Sequence, residues 1–315
     1  MTAQSSGRGR TKVIALIAAK IALSGGLLYW LWSRLPPAGE WPQVELAVPS
    51  LVMASAAIAL VQFATLALRW RMTTAVLLGD AQALPSFRRF LAVTWLSSAV
   101  GQVLPAVIGS DGLRIAALRL EGVSWSGAAM SVVIDRVIGL AGLLLLLLPV
   151  LMADPRWLLW PDVSSAALSA AGVAAAAFLA LLYSVGRKEA AALLRRIPAR
   201  VAAPAIQKAP LLVVLAAAGH ALSVLIFVLL ARAFALDVPF AAAMSVFPLA
   251  LLASMLPISF GGWGVRELTV VHGLSLYGIA QQDALLASIF FGIFQLIAAI
   301  PAVAYISIWP GRIKR

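Results

Sequence analysis

The chain has 315 residues, of which 63% are apolar and 11% are charged, and its mean hydropathy is +1.00. A soluble domain would be about half apolar and about a quarter charged, so the composition indicates an integral membrane protein. The net charge of +12 does not indicate a nucleic-acid partner, because the basic residues collect in short segments between apolar runs, where they set topology.

The predicted elements begin with an apolar segment behind the basic letters RGRTK at 8–12. We interpret this segment as a retained transmembrane helix, because its core is too long for a signal peptide and YWLWSRLPP follows in place of a cleavage site. A membrane crossing needs about 20 predominantly apolar residues. By this measure we predict six crossings, at 13–33, 49–68, 126–152, 164–184, 210–233 and 284–309.

Lys and Arg residues concentrate in alternate connections along the chain. They precede the first span, follow the second, fill the loop at 187–208 and end the chain. The opposite loops carry acids with few bases, namely Glu40, Glu45, Asp154, Asp162 and Asp237. The positive-inside rule therefore predicts a multi-pass protein with both termini in the cytoplasm.

Two further apolar stretches run into charged sequence that is rich in Gly and Pro. Six crossings keep both termini on one side only if each stretch enters and leaves the membrane by the same face. We therefore predict two re-entrant or broken-helix hairpins, 89–121 from the cytoplasm and 239–280 from the outside. If each hairpin were two tilted spans, the parity would be the same, so eight or more crossings stay open.

An internal repeat links the two hairpins. The letters LPAVIGSDGLR at 104–114 align without a gap with LPISFGGWGVR at 256–266, at an offset of 152 residues. Three predicted crossings separate the copies, and an odd number inverts the second copy, as in many transporters. The expected fold is one all-α polytopic transmembrane domain, 1–315, with inverted halves at about 49–152 and 164–309. Chance matching in a chain rich in Ala, Leu and Gly is the alternative.

Each copy interrupts its helix at a proline, Pro105 or Pro257, which lacks an amide hydrogen. Irregular backbone at membrane depth is tolerated only against protein or water. A helix that restarts after the break directs free N–H groups and its positive dipole end into the cavity. Arg114 and Arg266 would add full charges there. We therefore predict a paired, centrally placed anion site.

Asp135 and Arg136 lie inside a predicted span, where a charge costs ~2.5–3.5 kcal/mol. Adjacent helical residues point about 100° apart, so we do not expect these two to pair with each other. We predict that Asp135 pairs with Arg266 or Arg114. Arg136 is predicted to pair with Glu267 or with a lipid phosphate. The alternative is that these charges are static struts between the halves.

Other charged residues allow more than one role. Arg266 is a candidate phosphate ligand, because its planar fork matches a phosphate. Glu267 could position that guanidinium, accept an aminoacyl ammonium, carry a coupling proton or act as a strut. Asp111 and Arg114 have the spacing of a local salt bridge on a short helix. His220, inside a predicted span, is expected to hydrogen-bond a neighbouring helix.

These motifs resemble those of the lysylphosphatidylglycerol synthase transmembrane-region family, over approximately 13–309. The resemblance rests on a G-x-D-x-x-R loop, an Asp-Arg pair and a G-x-G-x-R-E loop, which here contain Gly109, Asp111 and Arg114, then Asp135 and Arg136, then Gly262, Gly264, Arg266 and Glu267. It implies movement of a phospholipid or lipid-linked head group between leaflets of the bacterial cytoplasmic membrane. The expected substrate-binding residues are Asp111, Arg114, Asp135, Arg136, Gly261, Gly262, Gly264, Arg266 and Glu267.

The resemblance also suggests what to expect of catalysis. The bifunctional members of the family carry aminoacyl transfer on a soluble C-terminal module, and this chain ends in WPGRIKR after its last span, so we expect a transporter and no synthase activity. A membrane enzyme that modifies a lipid head group and a non-transporting scaffold are the alternatives. We expect a lipid substrate, no nucleic acid, no cofactor and no metal, and we leave a homodimer open.

Overall fold

The computed structural model describes residues 18–19, 21–33, 45–79, 84–103, 107–153, 199–255, 259 and 261–302. These ranges are helices joined by turns, and they contain no strand. In chain order we label α1 (Ile21–Ser33), α2 (Pro49–Leu78), α3 (Phe87–Val103), α4 (Gly112–Leu120), α5 (Trp125–Ala153), α6 (Ala199–Ala233), α7 (Phe240–Met255), α8 (Val265–Ser275) and α9 (Gln281–Ile297).

Four segments in the described ranges are long and apolar enough to cross a membrane, which confirms a multi-pass membrane protein. They are Pro49–Leu78, Trp125–Val150, Gln207–Ala233 and Gln281–Ala302, and each corresponds to a predicted span. Of the other two predicted spans, 13–33 contains the shorter apolar helix α1, and 164–184 lies outside the described residues. The total of six crossings and the side of each terminus stay predictions.

In each Gly/Pro-rich stretch the structure describes two separate helices, while Pro105 and Pro257, at which we predicted the breaks, lie outside the described residues. α3 has 17 residues and α4 has 9, while α7 has 16 and α8 has 11. At 1.5 Å per residue, α4 and α8 are about 14 Å and about 17 Å long. The hydrocarbon core is ~30 Å thick, so neither short helix can cross it alone. Whether the two hairpins re-enter or span stays a prediction.

The order and spacing of the helices repeat along the chain. The starts of α2, α3, α4 and α5, moved by 152 residues, fall at 201, 239, 264 and 277, whereas α6 to α9 start at 199, 240, 265 and 281. The same offset aligns the two Gly/Pro-rich motifs. The inverted orientation of the second half and the limits of both halves stay predictions.

The apolar core surrounds α6, which packs on α2, α5, α7 and α9. Phe227 of α6 stacks on Phe247 of α7 at 4.2 Å between ring centroids, and Phe291 of α9 meets Phe247 edge-on at 4.8 Å. A Cβ at Gly142 of α5 would collide with Ala216 of α6, so these helices cross in direct backbone contact. Such small-residue crossings are typical of membrane helix packing.

The two helix breaks meet. Gly261, in the second break, has φ +60°, and a Cβ there would collide with the backbone carbonyl of Gln102 at the end of α3. A side chain at 261 would therefore strain its own backbone and push the two breaks apart. The contact places the charged residues of both breaks in the interior of the described fold.

Candidate functional site

Five charged side chains gather where α2, α4 and α5 pack together with the turn before α4. We call them the first charge cluster: Arg69, Asp111, Arg114, Asp135 and Arg136. The turn, Val107–Asp111, is π-helical and continues directly into α4. π-Helical turns are rare, and they occur frequently at functional sites.

Asp135 is the centre of the first charge cluster, and its side chain is 1% exposed. Arg69 of α2 donates from Nε to Oδ1 at 2.8 Å and from Nη2 to Oδ2 at 3.0 Å. Arg114 of α4 donates from Nη1 to Oδ2 at 2.9 Å. Bidentate arginine–carboxylate pairs are among the strongest hydrogen-bonded contacts. Asp135 therefore ties three helices together.

Arg114 links this centre to α3 and to an aromatic ring. Its Nε donates to Ser97 Oγ at 3.3 Å, and its guanidinium lies 4.9 Å from the centroid of the Trp70 ring. The ring face stabilises the cation by a cation–π interaction. Arg114 is thus held from α2, α3 and α5 at once, although its side chain keeps 12% exposure.

Arg136 is the most open member of the first charge cluster. Its side chain is 30% exposed, and Asp111, its partner, is 14% exposed. The Nε of Arg136 lies 2.9 Å from Oδ1 and 2.8 Å from Oδ2 of Asp111, so both carboxylate oxygens accept from it. The cluster holds three arginines and two aspartates, which leaves one surplus positive charge. Its donors are also in surplus, because the buried Nη1 of Arg69 has no hydrogen-bond partner in the part of the chain that the structure describes.

The observed pairs correct several predictions. Asp135 binds Arg114, one of its two predicted partners, but not Arg266. Arg136 binds Asp111 rather than Glu267. The local salt bridge that the spacing of Asp111 and Arg114 allows is not formed. Asp111 bonds to Arg136 of α5, and Arg114 bonds to Asp135 of α5. The prediction that Asp135 and Arg136 do not bind each other is confirmed, since they point to different partners.

Arg69 is a cluster residue that the sequence reasoning missed. Its charge served as a topology signal, and the predicted span stopped at residue 68, whereas α2 continues to Leu78. The signal that could have revealed it is a lone Asp in the next long apolar span. A buried carboxylate needs more than one donor, so a second arginine from a neighbouring span could have been sought.

The second charge cluster consists of Arg266 and Glu267, at the start of α8. Their side chains are 3% and 0% exposed. Arg266 donates to Glu267 Oε1 from Nε at 2.9 Å and from Nη2 at 2.6 Å, and Ser288 Oγ donates to the same oxygen at 3.1 Å. The cluster is therefore neutral and closed. Glu267 thus contacts the Arg266 guanidinium, as its predicted positioning and strut roles both require, and its other predicted roles stay predictions.

Glu267 also closes the beginning of α8. Its Oε2 accepts from the backbone N–H of Gly264 at 2.7 Å, which is one half of a capping box, since Gly264 has no side chain to bond in return. The N–H of Arg266 bonds to the Gly262 carbonyl. The prediction that the restarted helix directs free N–H groups into a cavity is therefore wrong for these groups of α8, because neighbouring chain atoms accept from them.

Aromatic rings complete the enclosure of Arg266. Its guanidinium lies 4.7 Å from the Trp263 ring centroid and 5.7 Å from that of Phe291. A Cβ at Gly292 of α9 would collide with Arg266 Nη2 and with the Trp263 ring, so a side chain there would displace one of these groups. The predicted paired anion site is therefore unequal in charge, since only the first cluster carries a surplus.

The three glycines of the second break serve backbone packing in this structure. Gly261, Gly262 and Gly264 have φ of +60°, +83° and +84°, a region that favours glycine. A Cβ on them would crowd the end of α3, α7 and α1, respectively. Their predicted role in substrate binding stays a prediction.

The two histidines lie outside both clusters. The Nε2 of His220 is 3.0 Å from the Gly139 carbonyl oxygen on α5, which confirms the predicted bond to a neighbouring helix. His272 stacks on Trp30 of α1 with a centroid distance of 6.3 Å. In the described part of the chain, no three His, Cys, Asp or Glu side chains group as a metal site.

Comparisons with known proteins agree with the motifs in both breaks. The family described as lysylphosphatidylglycerol synthase TM region matches residues 17–302. The matched range contains α1 to α9 and both charge clusters. A search of curated proteins found no match.

Proposed function

The chain belongs to the lysylphosphatidylglycerol synthase TM region family, and we propose on this basis that it moves a phospholipid, or a lipid-linked head group, between the leaflets of a membrane. The first charge cluster would bind the phosphate of the head group while the acyl tails remain in the bilayer. The second cluster would hold the other break in place. This proposal makes the protein a transporter and not an enzyme.

The surplus positive charge of the first cluster carries the proposal. A charge near the centre of a membrane costs ~2.5–3.5 kcal/mol, and such charges usually mark a substrate pathway when no partner cancels them. Asp111 engages only the Nε of Arg136, so within the described chain the two Nη groups of Arg136 have no bond. Two oxygens of a phosphate have the spacing that the planar guanidinium of Arg136 needs for two parallel hydrogen bonds.

The remaining residues of the cluster would orient this fork. Asp135 fixes Arg69 and Arg114, and Arg114 in turn contacts α3 through Ser97. The helix break beside them supplies the irregular backbone that a membrane tolerates only next to protein or water. A head group at Arg136 would therefore lie in a polar site within the membrane rather than in hydrocarbon.

A leaflet-exchange assay tests the proposal. Purified protein would be reconstituted into liposomes with phosphatidylglycerol labelled on one tail, and exchange would be followed by chemical bleaching of the outer leaflet. We expect Arg136→Gln to slow exchange by ~10-fold or more, equivalent to about 1.4 kcal/mol. Arg232→Gln is the matched control, because Arg232 is exposed near the end of α6. Equal rates for wild type and Arg136→Gln at equal thermal stability would refute the proposal.

A scaffold function is the second candidate, and two observations favour it. The second charge cluster is fully enclosed, and Asp135 joins three helices as a strut would. A scaffold requires that no lipid exchanges faster than in protein-free liposomes. It also requires that a complex of partner proteins fails to assemble when the gene for this chain is deleted.

A further inference from the structure

We infer that the head group carried by this protein is singly anionic and otherwise uncharged and hydroxylated, like phosphoglycerol, and does not end in an ammonium. The inference rests on the proposed function and specifies its substrate class. Three features of the two breaks support it: the net charge of the first cluster, the engagement of the nearby carboxylates, and two buried polar atoms without partners among the described residues.

The charge balance is the first feature. The first charge cluster has a net charge of +1, from three arginines and two aspartates. One phosphodiester with a neutral substituent brings the sum to zero. A zwitterionic amine head group leaves the surplus in place, and a lysyl ester, with two ammonium groups and one phosphate, raises it. Surplus charge is disfavoured in a low-dielectric interior, so the singly anionic lipid fits best.

The carboxylates are the second feature. An ammonium inside a membrane needs an acidic partner. The three acids of the two clusters are already engaged: Asp111 with Arg136, Asp135 with two arginines, and Glu267 with Arg266. Glu267 additionally accepts from the Gly264 N–H and from Ser288. Neither cluster therefore has a carboxylate available for an amine.

The meeting point of the two breaks is the third feature. Gln102 Oε1 and Ser259 Oγ are buried there, and among the described residues neither atom has a hydrogen-bond partner. Ser259 is 5% exposed and lies two residues before Gly261, whose backbone contacts Gln102. An amide and a hydroxyl are uncharged groups that can exchange hydrogen bonds with a hydroxyl. These atoms suit a polyol better than an ion.

Ser97, which bonds Arg114, and Gln102 lie on the same helix, α3, five residues apart. This separation is about 7.5 Å along the helix axis and about 140° around it, so the two side chains point to different sides of α3. A head group with its phosphate at Arg114 and Arg136 would therefore have to extend around the end of α3 for its polyol substituent to reach Gln102 and Ser259.

Lipids that differ only in the head group test the charge argument. Tail-labelled phosphatidylglycerol, phosphatidylethanolamine and lysyl-phosphatidylglycerol would be compared in the leaflet-exchange assay. We expect phosphatidylglycerol to exchange ~10-fold faster than the lysyl ester, or more, equivalent to about 1.4 kcal/mol. Equal or faster exchange of the lysyl ester would overturn the inference. If no lipid exchanges above the protein-free rate, the proposed function itself fails.

A second comparison tests hydroxyl recognition. Phosphatidylmethanol carries the same charge as phosphatidylglycerol but no hydroxyl, so wild type should exchange it more slowly. Gln102→Leu and Ser259→Ala should remove this difference. Ser98→Ala, whose hydroxyl bonds to Thr94 of its own helix, should keep it. If Gln102→Leu slowed the exchange of phosphatidylglycerol and of phosphatidylmethanol by the same factor, the hydroxyl contact would be contradicted.

Soluble glycerophosphoglycerol distinguishes a lipid from a free phosphodiester, because it carries the same head group without tails. Liposomes that contain the protein should not accumulate it, and an excess should not stop lipid exchange. Accumulation above the protein-free background would overturn the assignment to a lipid.

Discussion

The two charge clusters each contain the arginine that follows one copy of the repeated motif, and they differ in charge, exposure and composition. The first is +1, reaches 30% exposure at Arg136, and draws its members from α2, α4, α5 and the turn before α4. The second is neutral, is at most 3% exposed, and consists of two consecutive residues. One repeated motif, an arginine after a glycine-rich segment, therefore lies once in a partly exposed, positively charged cluster and once in a buried, neutral pair.

The sequence explains this difference position by position. At an offset of 152 residues, Arg266 corresponds to Arg114, but its acid partner has moved. Asp135 and Arg136 correspond to Ala287 and Ser288, and Ser288 contacts the Arg266–Glu267 pair. Glu267 itself corresponds to an isoleucine. The second half therefore lacks the charges of the long span and supplies the counter-charge from the short helix.

The largest expected effect is on the centre of the first cluster. Asp135→Asn leaves two buried arginines without a carboxylate, which should destabilise the protein by ~3–5 kcal/mol. Asp111→Asn, at the partly exposed pair, should cost about 1 kcal/mol or less. Thermal unfolding of the purified protein measures both. Equal melting temperatures for the two variants would show that Asp135 does not hold the helices together.

The second cluster should respond differently to single and double replacement. Glu267→Gln leaves the buried Arg266 without a counter-charge, which should cost about 3 kcal/mol. The double variant Arg266→Met with Glu267→Gln removes both charges, and it should recover most of that stability because a neutral replacement of a buried pair is often tolerated. A double variant as unstable as the single one would mean that Arg266 has a further role.

The difference between the clusters can also be reduced by design. Ile115→Glu places an acid beside Arg114, as Glu267 lies beside Arg266, and brings the first cluster to zero. Exchange of phosphatidylglycerol should fall ~10-fold, equivalent to about 1.4 kcal/mol. Ile115→Gln, which is polar but uncharged, is the matched control. If both variants exchange lipid at the same rate, the surplus charge is not the determinant.

The smallest expected effect concerns the backbone of the breaks. Gly264 has φ +84°, and a Cβ there would lie 2.9 Å from Leu27 Cβ, whereas its equivalent Gly112 begins the helix α4. Gly264→Ala should therefore cost about 1 kcal/mol more than Gly112→Ala. Denaturant unfolding compares the two. If Gly112→Ala lowered the free energy of unfolding by more than Gly264→Ala does, the greater backbone constraint would lie at Gly112, which contradicts this expectation.

Much of this fold could be predicted from the sequence, because length and apolarity identify spans, and the clustered glycines before α8 identify a place where the helix stops. The pairing of Asp135 with Arg114 was also among the predicted options. Partner choice beyond that depends on how helices rotate against each other, which hydropathy does not reveal. Arg69 was missed for this reason, since a charge nine residues before the end of α2 resembles a boundary until Asp135 is seen beside it.

The closing of Glu267 on Arg266 was hard to predict for a local reason. Neighbouring residues on a helix point apart, but at its start the third residue can turn back to the capping position. Glu267 does so and meets the Arg266 guanidinium there. Only the capping pattern, Gly264 followed three residues later by Glu267, offered a sequence signal.

The most direct test of the central difference measures phosphatidylglycerol exchange in two variants side by side. Arg136→Gln removes the surplus charge of the first cluster, and the Arg266→Met, Glu267→Gln double variant removes the closed pair of the second. We expect exchange to be lost in Arg136→Gln and to be retained in the double variant, provided that the double variant is folded. Retained exchange in Arg136→Gln, with loss in the double variant, would contradict it.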